Sequence, residues 1–270
     1  MITSMEDLNK NVKRRKTSSV IVCSKEKSEK QIVLERLEFQ KSFLAIMFLP
    51  PKHPFPSEGP LLSPISAANK GRKTLVLDLD ETLVHCSTDP DEVPFARPSF
   101  HVNFRGNVHE VFIGRRPHLQ RFLEQVSQWY EVVLFTASQS EYAESLLDIL
   151  DPQKHFFSYV FFEILFFLTF PRHRLFREAC SLVDGNYVKD LDCLGRSMEN
   201  TIIIDNSPLS FGYHLNNGIP ISSWFYEEDD NELLNMLPFL HALSQADDVR
   251  PVLKGRYGLS AHILSMMKVP

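Results

Sequence analysis

Three apolar runs along the chain stop at polar clusters: residues 73–84 carry DLDET, residues 131–135 are followed by TAS, and residues 201–204 are followed by DNSP. The first is rich in leucine and β-branched residues and the third is entirely aliphatic, so each reads as a strand. Between the first two, residues 117–129 place Leu119, Phe122, Leu123 and Val126 at helical spacing, and residues 141–150 read as a second helix. Strand, helix and strand in alternation predict an α/β fold, a central parallel sheet flanked by helices. In open sheets of this class ligands bind outside the carboxyl ends of the strands, so the three polar clusters are expected to converge on one site.

Between Asp80 and the first helix, residues 95–116 alternate as FHVNFRGNVHEVFIGRRP around a turn at Arg105-Gly106-Asn107, the pattern of a β-hairpin. This small insertion leaves no room for a large cap domain. A site covered by a hairpin alone is open enough for a protein segment. Upstream, residues 1–30 are polar, with KRRK at 13–16, and lack the charged-then-apolar pattern of a signal peptide. Residues 31–49 have some helical periodicity and end in FLAIMFLPP, too short an apolar piece to span a bilayer. Residues 50–68 are rich in proline and serine and read as a linker. The expected organisation is a disordered basic tail and linker over 1–70, a folded domain over 71–255 and a C-terminal tail over 256–270.

Composition narrows the class. The chain has 270 residues, 43% hydrophobic and 23% charged, which fits a soluble globular protein with one domain of catalytic size. A formal net charge of −5 gives no case for direct nucleic-acid binding. Cys23, Cys86, Cys180 and Cys193 lack CxxC spacing, which fits a reducing compartment without disulfides or zinc. The expected setting is nuclear or cytoplasmic, with KRRK favouring the nucleus.

Two aspartates at the end of an apolar strand are costly unless paired, hydrogen-bonded or metal-bound. Asp78, beside a divalent cation, has the chemistry of a nucleophile that attacks phosphorus to form an acyl phosphate. Asp80, two residues on, points the same way if the strand geometry persists, and would act as the acid and base. Asp205 and Asn206 supply hard oxygen ligands suited to Mg²⁺. Thr136 and Lys189 would stabilise charge on the transferring phosphoryl group.

DLDETLVH, LFTAS, GNYVKDL and IIIDNSP, in that order and followed by GIPISSWF, resemble the small C-terminal-domain phosphatases of the haloacid dehalogenase superfamily. The resemblance covers about residues 73–251. It implies a Rossmann-like fold, Mg²⁺ dependence and hydrolysis of phosphoserine or phosphothreonine in proteins, notably the RNA polymerase II tail repeats. It also implies that Asp78 and Asp80 contribute to the metal site, Asp80 through its main-chain carbonyl, and that Arg177 and Tyr142 contact substrate. Two departures stand out. Thr88 occupies a position where relatives that read a phosphoserine-proline tail carry an aromatic residue. Residues 155–171, HFFSYVFFEILFFLTFP, stand where relatives pass almost directly from LLDILDP to HRLFRE, with an apolar insertion foreign to the fold at about 161–171; Glu163 and the shortness of the run argue against a membrane span. The competing readings are a noncatalytic phosphoprotein-binding module whose site the insertion has disrupted, and a small-molecule phosphatase.

Overall fold

The computed structural model describes residues 29–52, 59–93, 99–104, 106–152, 156 and 173–266. After helix α1 (Glu29–Met47), the chain enters β1 (Lys73–Leu77) and then an antiparallel sheet of β2 (Val84–Ser87), β3 (Ser99–Phe104) and β4 (Asn107–Arg115). Helix α2 (Leu119–Trp129), β5 (Tyr130–Phe135), α3 (Ser140–Leu150) and β6 (Arg174–Leu175) follow. A hairpin of β7 (Ser181–Val183) and β8 (Asn186–Val188) leads to β9 (Thr201–Asp205) and β10 (Gly218–Pro220). Helices α4 (Glu232–Ser244), α5 (Val249–Tyr257) and α6 (Leu259–Met266) complete the described chain.

The central sheet is parallel, in the order β10-β9-β1-β5-β6. The chain first builds outward from β1 through β5 to β6, then returns to its other side with β9 and β10. The order therefore reverses beside β1, the crevice where doubly wound sheets take ligands. The Rossmann-like α/β architecture expected from the sequence is the one observed.

Alternate strand residues feed two cores, because side chains on a strand repeat with period two. Leu75, Leu77, Val132, Leu134, Ile202 and Ile204 face α2, α3, α4 and α5. Val76, Val133, Phe135 and Ile203 face the opposite side, against Leu209 and Phe211 of a 3₁₀ segment, Pro208–Asn217. On that second face lie Phe43 and Ile46 of α1, Leu62, and Leu259 and Ile263 of α6.

The second core corrects the expected boundaries. Neither the linker nor the C-terminal tail is external to the fold: α1, the stretch around Leu62 and α6 together cover one face of the sheet. A parallel sheet needs both faces covered, and the helices that follow its strands cover only one here. Leu62→Ala is accordingly expected to cost about 2–3 kcal/mol of unfolding free energy by chemical denaturation; a loss below about 0.5 kcal/mol, the size of an ordinary surface change, would return this stretch to linker status.

The apolar run at 73–84 is not one strand. β1 ends at Leu77, and Glu81 takes a left-handed backbone (φ 57) that turns the chain into β2. The expected hairpin is β3 and β4, to which β2 adds a third strand through Val84 and Arg115, so the insertion stays small. Among the described residues no helix is long and apolar enough to cross a membrane. KRRK and, save Phe156, the insertion at 155–171 lie outside the described residues.

Candidate active site

Asp78 follows β1, Thr136 follows β5, Arg177 follows β6 and Asp205 ends β9, so the parallel register carries all four to one edge of the sheet. They line a cavity of about 870 Å³ together with Asp80, Lys189 and Asn206. Tyr142 is the one sequence candidate outside that lining; it stands behind Asp80.

Lys189 follows β8, at the foot of a tight hairpin whose turn residues Asp184 and Gly185 are both left-handed (φ 47 and 79), the backbone a two-residue hairpin requires. Its amide donates to the Ser210 carbonyl at 2.6 Å, fixing it against the 3₁₀ segment after β9. Its ammonium is 1% exposed and donates to Asp78 Oδ1 at 2.5 Å and Asp205 Oδ2 at 2.6 Å. The second oxygen of Asp78 accepts the Thr82 hydroxyl at 2.7 Å, and Asp205 Oδ1 accepts the Ser207 amide at 2.8 Å.

Charge does not balance in this group. Two buried carboxylates meet one ammonium, a net charge of about −1. Burial, followed by the charge of Asp78, pushes the Asp205 carboxyl up to about 7 against the pull of Lys189. Burial alone would lower the Lys189 pKa, but Asp205 and Asp78 outweigh it and hold the ammonium above the ordinary lysine range.

Asp80 does not join that group, which corrects the expectation that its side chain points with Asp78. The strand has ended before it, and the period of two ends with the strand. Asp80 Oδ2 accepts the hydroxyls of Ser138 at 2.7 Å and Thr136 at 3.3 Å, and Oδ1 accepts Tyr142 at 3.1 Å. Burial first, then the charges of Glu81 and Asp78, push its carboxyl up to about 6, against the hydrogen bonds from Ser138 and Tyr142. Tyr142 thus contacts Asp80 from outside the cavity lining, and burial and Asp80 hold its hydroxyl well above the usual tyrosine range. Arg177 donates to the Ala137 carbonyl at 2.6 Å and stacks over Tyr187 at 4.8 Å.

The metal reading is tested by the donor set. Asp78 and Asp205 are hard oxygen ligands with uncompensated charge, and the Asn206 amide nitrogen donates to Ser223 at 2.9 Å, leaving its carbonyl as the ligand-type atom. These residues fit a divalent cation. The Asp80 side chain, turned to Thr136 and Ser138, leaves only its main chain for that role. A second acidic group, Asp190, Asp192 and His214, brings its ligand atoms within 4.8 Å of one another. The Lys52 ammonium already sits there, 2.7 Å from Asp190 and in contact with Asp192.

Several supporting residues escaped sequence reasoning. Thr82 and Ser138 belong to motifs that were read, DLDET and LFTAS, but nothing in their type marks them as partners of the two aspartates. Arg116 is fully buried and donates to the Thr82 and Ser222 carbonyls and to Asp230 and Glu232, so it ties the DLDET loop to the start of α4. Two arginines before a proline at the end of an apolar hairpin were the available signal. Glu38, Phe39 and Phe43 of α1 line the cavity and no described residue of β3 or β4 does, which corrects the expectation that the hairpin covers the site.

Much of this sequence is shared with known proteins. The family model described as NLI interacting factor-like phosphatase matches residues 73–250. CTD small phosphatase-like protein 2 of Dictyostelium discoideum is 44% identical over 200 residues, which is 74% of this chain and 32% of that protein. CTD small phosphatase-like protein 3 of Caenorhabditis elegans is 43% identical over 84% of this chain and 74% of its own length. The Homo sapiens CTD small phosphatase-like protein is 42% identical over 74% of this chain and 66% of its own. The chain thus spans about a third of the length of the Dictyostelium relative and about two thirds of the human one.

Proposed function

From the premise that the chain belongs to the NLI interacting factor-like phosphatases, we propose that it is a Mg²⁺-dependent protein serine/threonine phosphatase acting through an aspartyl-phosphate on Asp78. The observation that carries the proposal is the pairing of Asp78 with a buried lysine and a second buried carboxylate, while Asp80 is held apart on hydroxyl donors. Two aspartates in different environments can take different roles, one ionised and one able to carry a proton.

In the first step a carboxylate oxygen of Asp78 attacks the phosphorus of a phosphorylated serine or threonine. The bond between phosphorus and the side-chain oxygen breaks, and the proton of Asp80 passes to that leaving oxygen. Lys189 balances charge on the phosphoryl oxygens, with the Thr136 hydroxyl and Arg177 on the same wall. In the second step a water gives its proton to Asp80 and attacks the phosphorus of the acyl phosphate, releasing phosphate and restoring Asp78. A divalent cation held by Asp78, Asp205, Asn206 and the Asp80 main chain would supply further charge neutralisation. The RNA polymerase II tail repeats are the substrate class the family resemblance suggests, and KRRK supports a nuclear setting.

The test is hydrolysis of para-nitrophenyl phosphate and of phosphoserine peptides by the full chain. Turnover is expected with Mg²⁺ and is expected to vanish with EDTA and return with added Mg²⁺. Folded protein that binds phosphopeptides without turning them over would replace this reading with that of a binding module.

A further inference from the structure

Resting on the phosphatase reading, we infer that α1 forms one wall of the substrate groove and that the ring of Phe39 receives an apolar side chain next to the phosphorylated residue of the substrate. The cavity that holds Asp78 and Lys189 extends to Phe39, Phe43 and, on α6, His262. At about 870 Å³ it lies in the range of pockets that take a whole small ligand, more than a phosphorylated side chain alone requires. The remainder is space for neighbouring residues of a peptide.

The wall is a fixed part of the fold. Phe43 is buried and meets His262 edge-on at 4.9 Å. Past the helix, Tyr213 donates to the Pro50 carbonyl at 3.1 Å and Lys52 pairs with Asp190, the residue after Lys189. Phe39 lies against Phe43 edge-to-face at 4.8 Å, yet remains 36% exposed. One side of the ring is ordered by packing, and the aromatic surface left over gains by covering an apolar group.

Local charge points the same way. Glu38, the acidic neighbour on this wall, lies 3.1 Å from Lys41, so both signs of charge stand side by side there and neither dominates. Thr88, where an aromatic residue was expected from relatives, does not line the cavity. Apolar lining comes from Leu209, Ile221 and Phe225 and also from α1, an element upstream of the segment that the family model matches.

The experiment compares two sets of phosphoserine peptides, one with leucine, phenylalanine or proline placed in turn at positions around the phosphoserine, the other with alanine at each. Para-nitrophenyl phosphate turnover by the wild type checks the underlying reading. The wild type is expected to favour an apolar residue at one position, and Phe39→Ala to reduce that kcat/KM ratio about tenfold, the scale of losing an apolar contact in a pocket. Phe39→Leu is expected to restore most of the preference, at melting temperatures close to wild type. An unaltered ratio in Phe39→Ala, with para-nitrophenyl phosphate turned over normally by the wild type, would overturn the inference alone. Wild-type protein that hydrolyses no phosphoester would overturn the phosphatase reading and the inference with it.

Discussion

Asp78→Asn is expected to lower turnover of para-nitrophenyl phosphate by more than about a thousandfold, because the amide cannot form the acyl phosphate and no neighbouring group replaces it. The same change is expected to leave the melting temperature unchanged or raise it. Asparagine can keep its oxygen toward Lys189 and donate its amide to the Thr82 hydroxyl oxygen, and Lys189 keeps its 2.6 Å partner Asp205. The charge attraction between Asp78 and Lys189 is lost, and so is a repulsion that offsets it: the charge of Asp78 is, after burial, the main influence pushing Asp205 up to about 7. A site that holds two buried carboxylates against one ammonium trades stability for reactivity. Loss of turnover accompanied by unfolding would mean that Asp78 is structural, and retained turnover would remove it as the nucleophile.

The second large effect lies at the opposite end of the sheet. Glu131 on β5 is 1% exposed and takes Arg196 Nε on Oε2 at 2.7 Å and Arg196 Nη2 on Oε1 at 2.8 Å. Thr74 of β1 donates to it at 2.9 Å and His173 lies 3.2 Å away. Arg196 also donates to the Ser63 carbonyl at 2.8 Å, so one carboxylate joins two central strands to the N-terminal stretch. Glu131→Ala would leave the guanidinium buried without its partner, a loss expected at about 3–5 kcal/mol.

This pair also sets an acid limit. Burial alone would raise the Glu131 pKa, but hydrogen bonds from Arg196 and His173 outweigh it and hold the carboxyl at about 2. A folded value below the unfolded one, about 4.3 for glutamate, means stability present above that pH and lost as pH falls toward 2. Urea midpoints of wild type and Glu131→Gln should therefore differ most at pH 5 and above and converge between pH 4 and pH 2.5. Parallel midpoints across that range would show that the carboxylate charge is not what Arg196 needs.

The β5 and β9 strands were readable because both faces of each are buried, which makes an apolar run long enough to see without a partner. Helix α2 was readable because Leu119, Phe122, Leu123 and Val126 all face one core. α1 left a weaker signal: Phe43 and Ile46 are buried against elements near the other end of the chain, and Leu37 and Leu44 are exposed, so no single stripe identifies the inner face. The site was readable as a set of residue types at strand ends, and it was misread where direction mattered. The end of β1 at Leu77 and the left-handed glutamate at position 81 are invisible in sequence, yet between them Asp80 turns to Ser138 rather than to Asp78.

The packing of Phe43 against His262 has a consequence for how the chain acquires its structure. The two rings lie more than two hundred residues apart in sequence, and Lys52 meets its partner only once Asp192 exists. During synthesis α1 leaves the ribosome long before the strands and helix it will rest on. One side of the nascent sheet therefore stays uncovered until the last helix emerges. Contacts of such long span come late and are slow to form, so this face of the sheet closes only after α6 has left the ribosome, and a nascent chain arrested before α6 exposes apolar surface of the kind that chaperones hold.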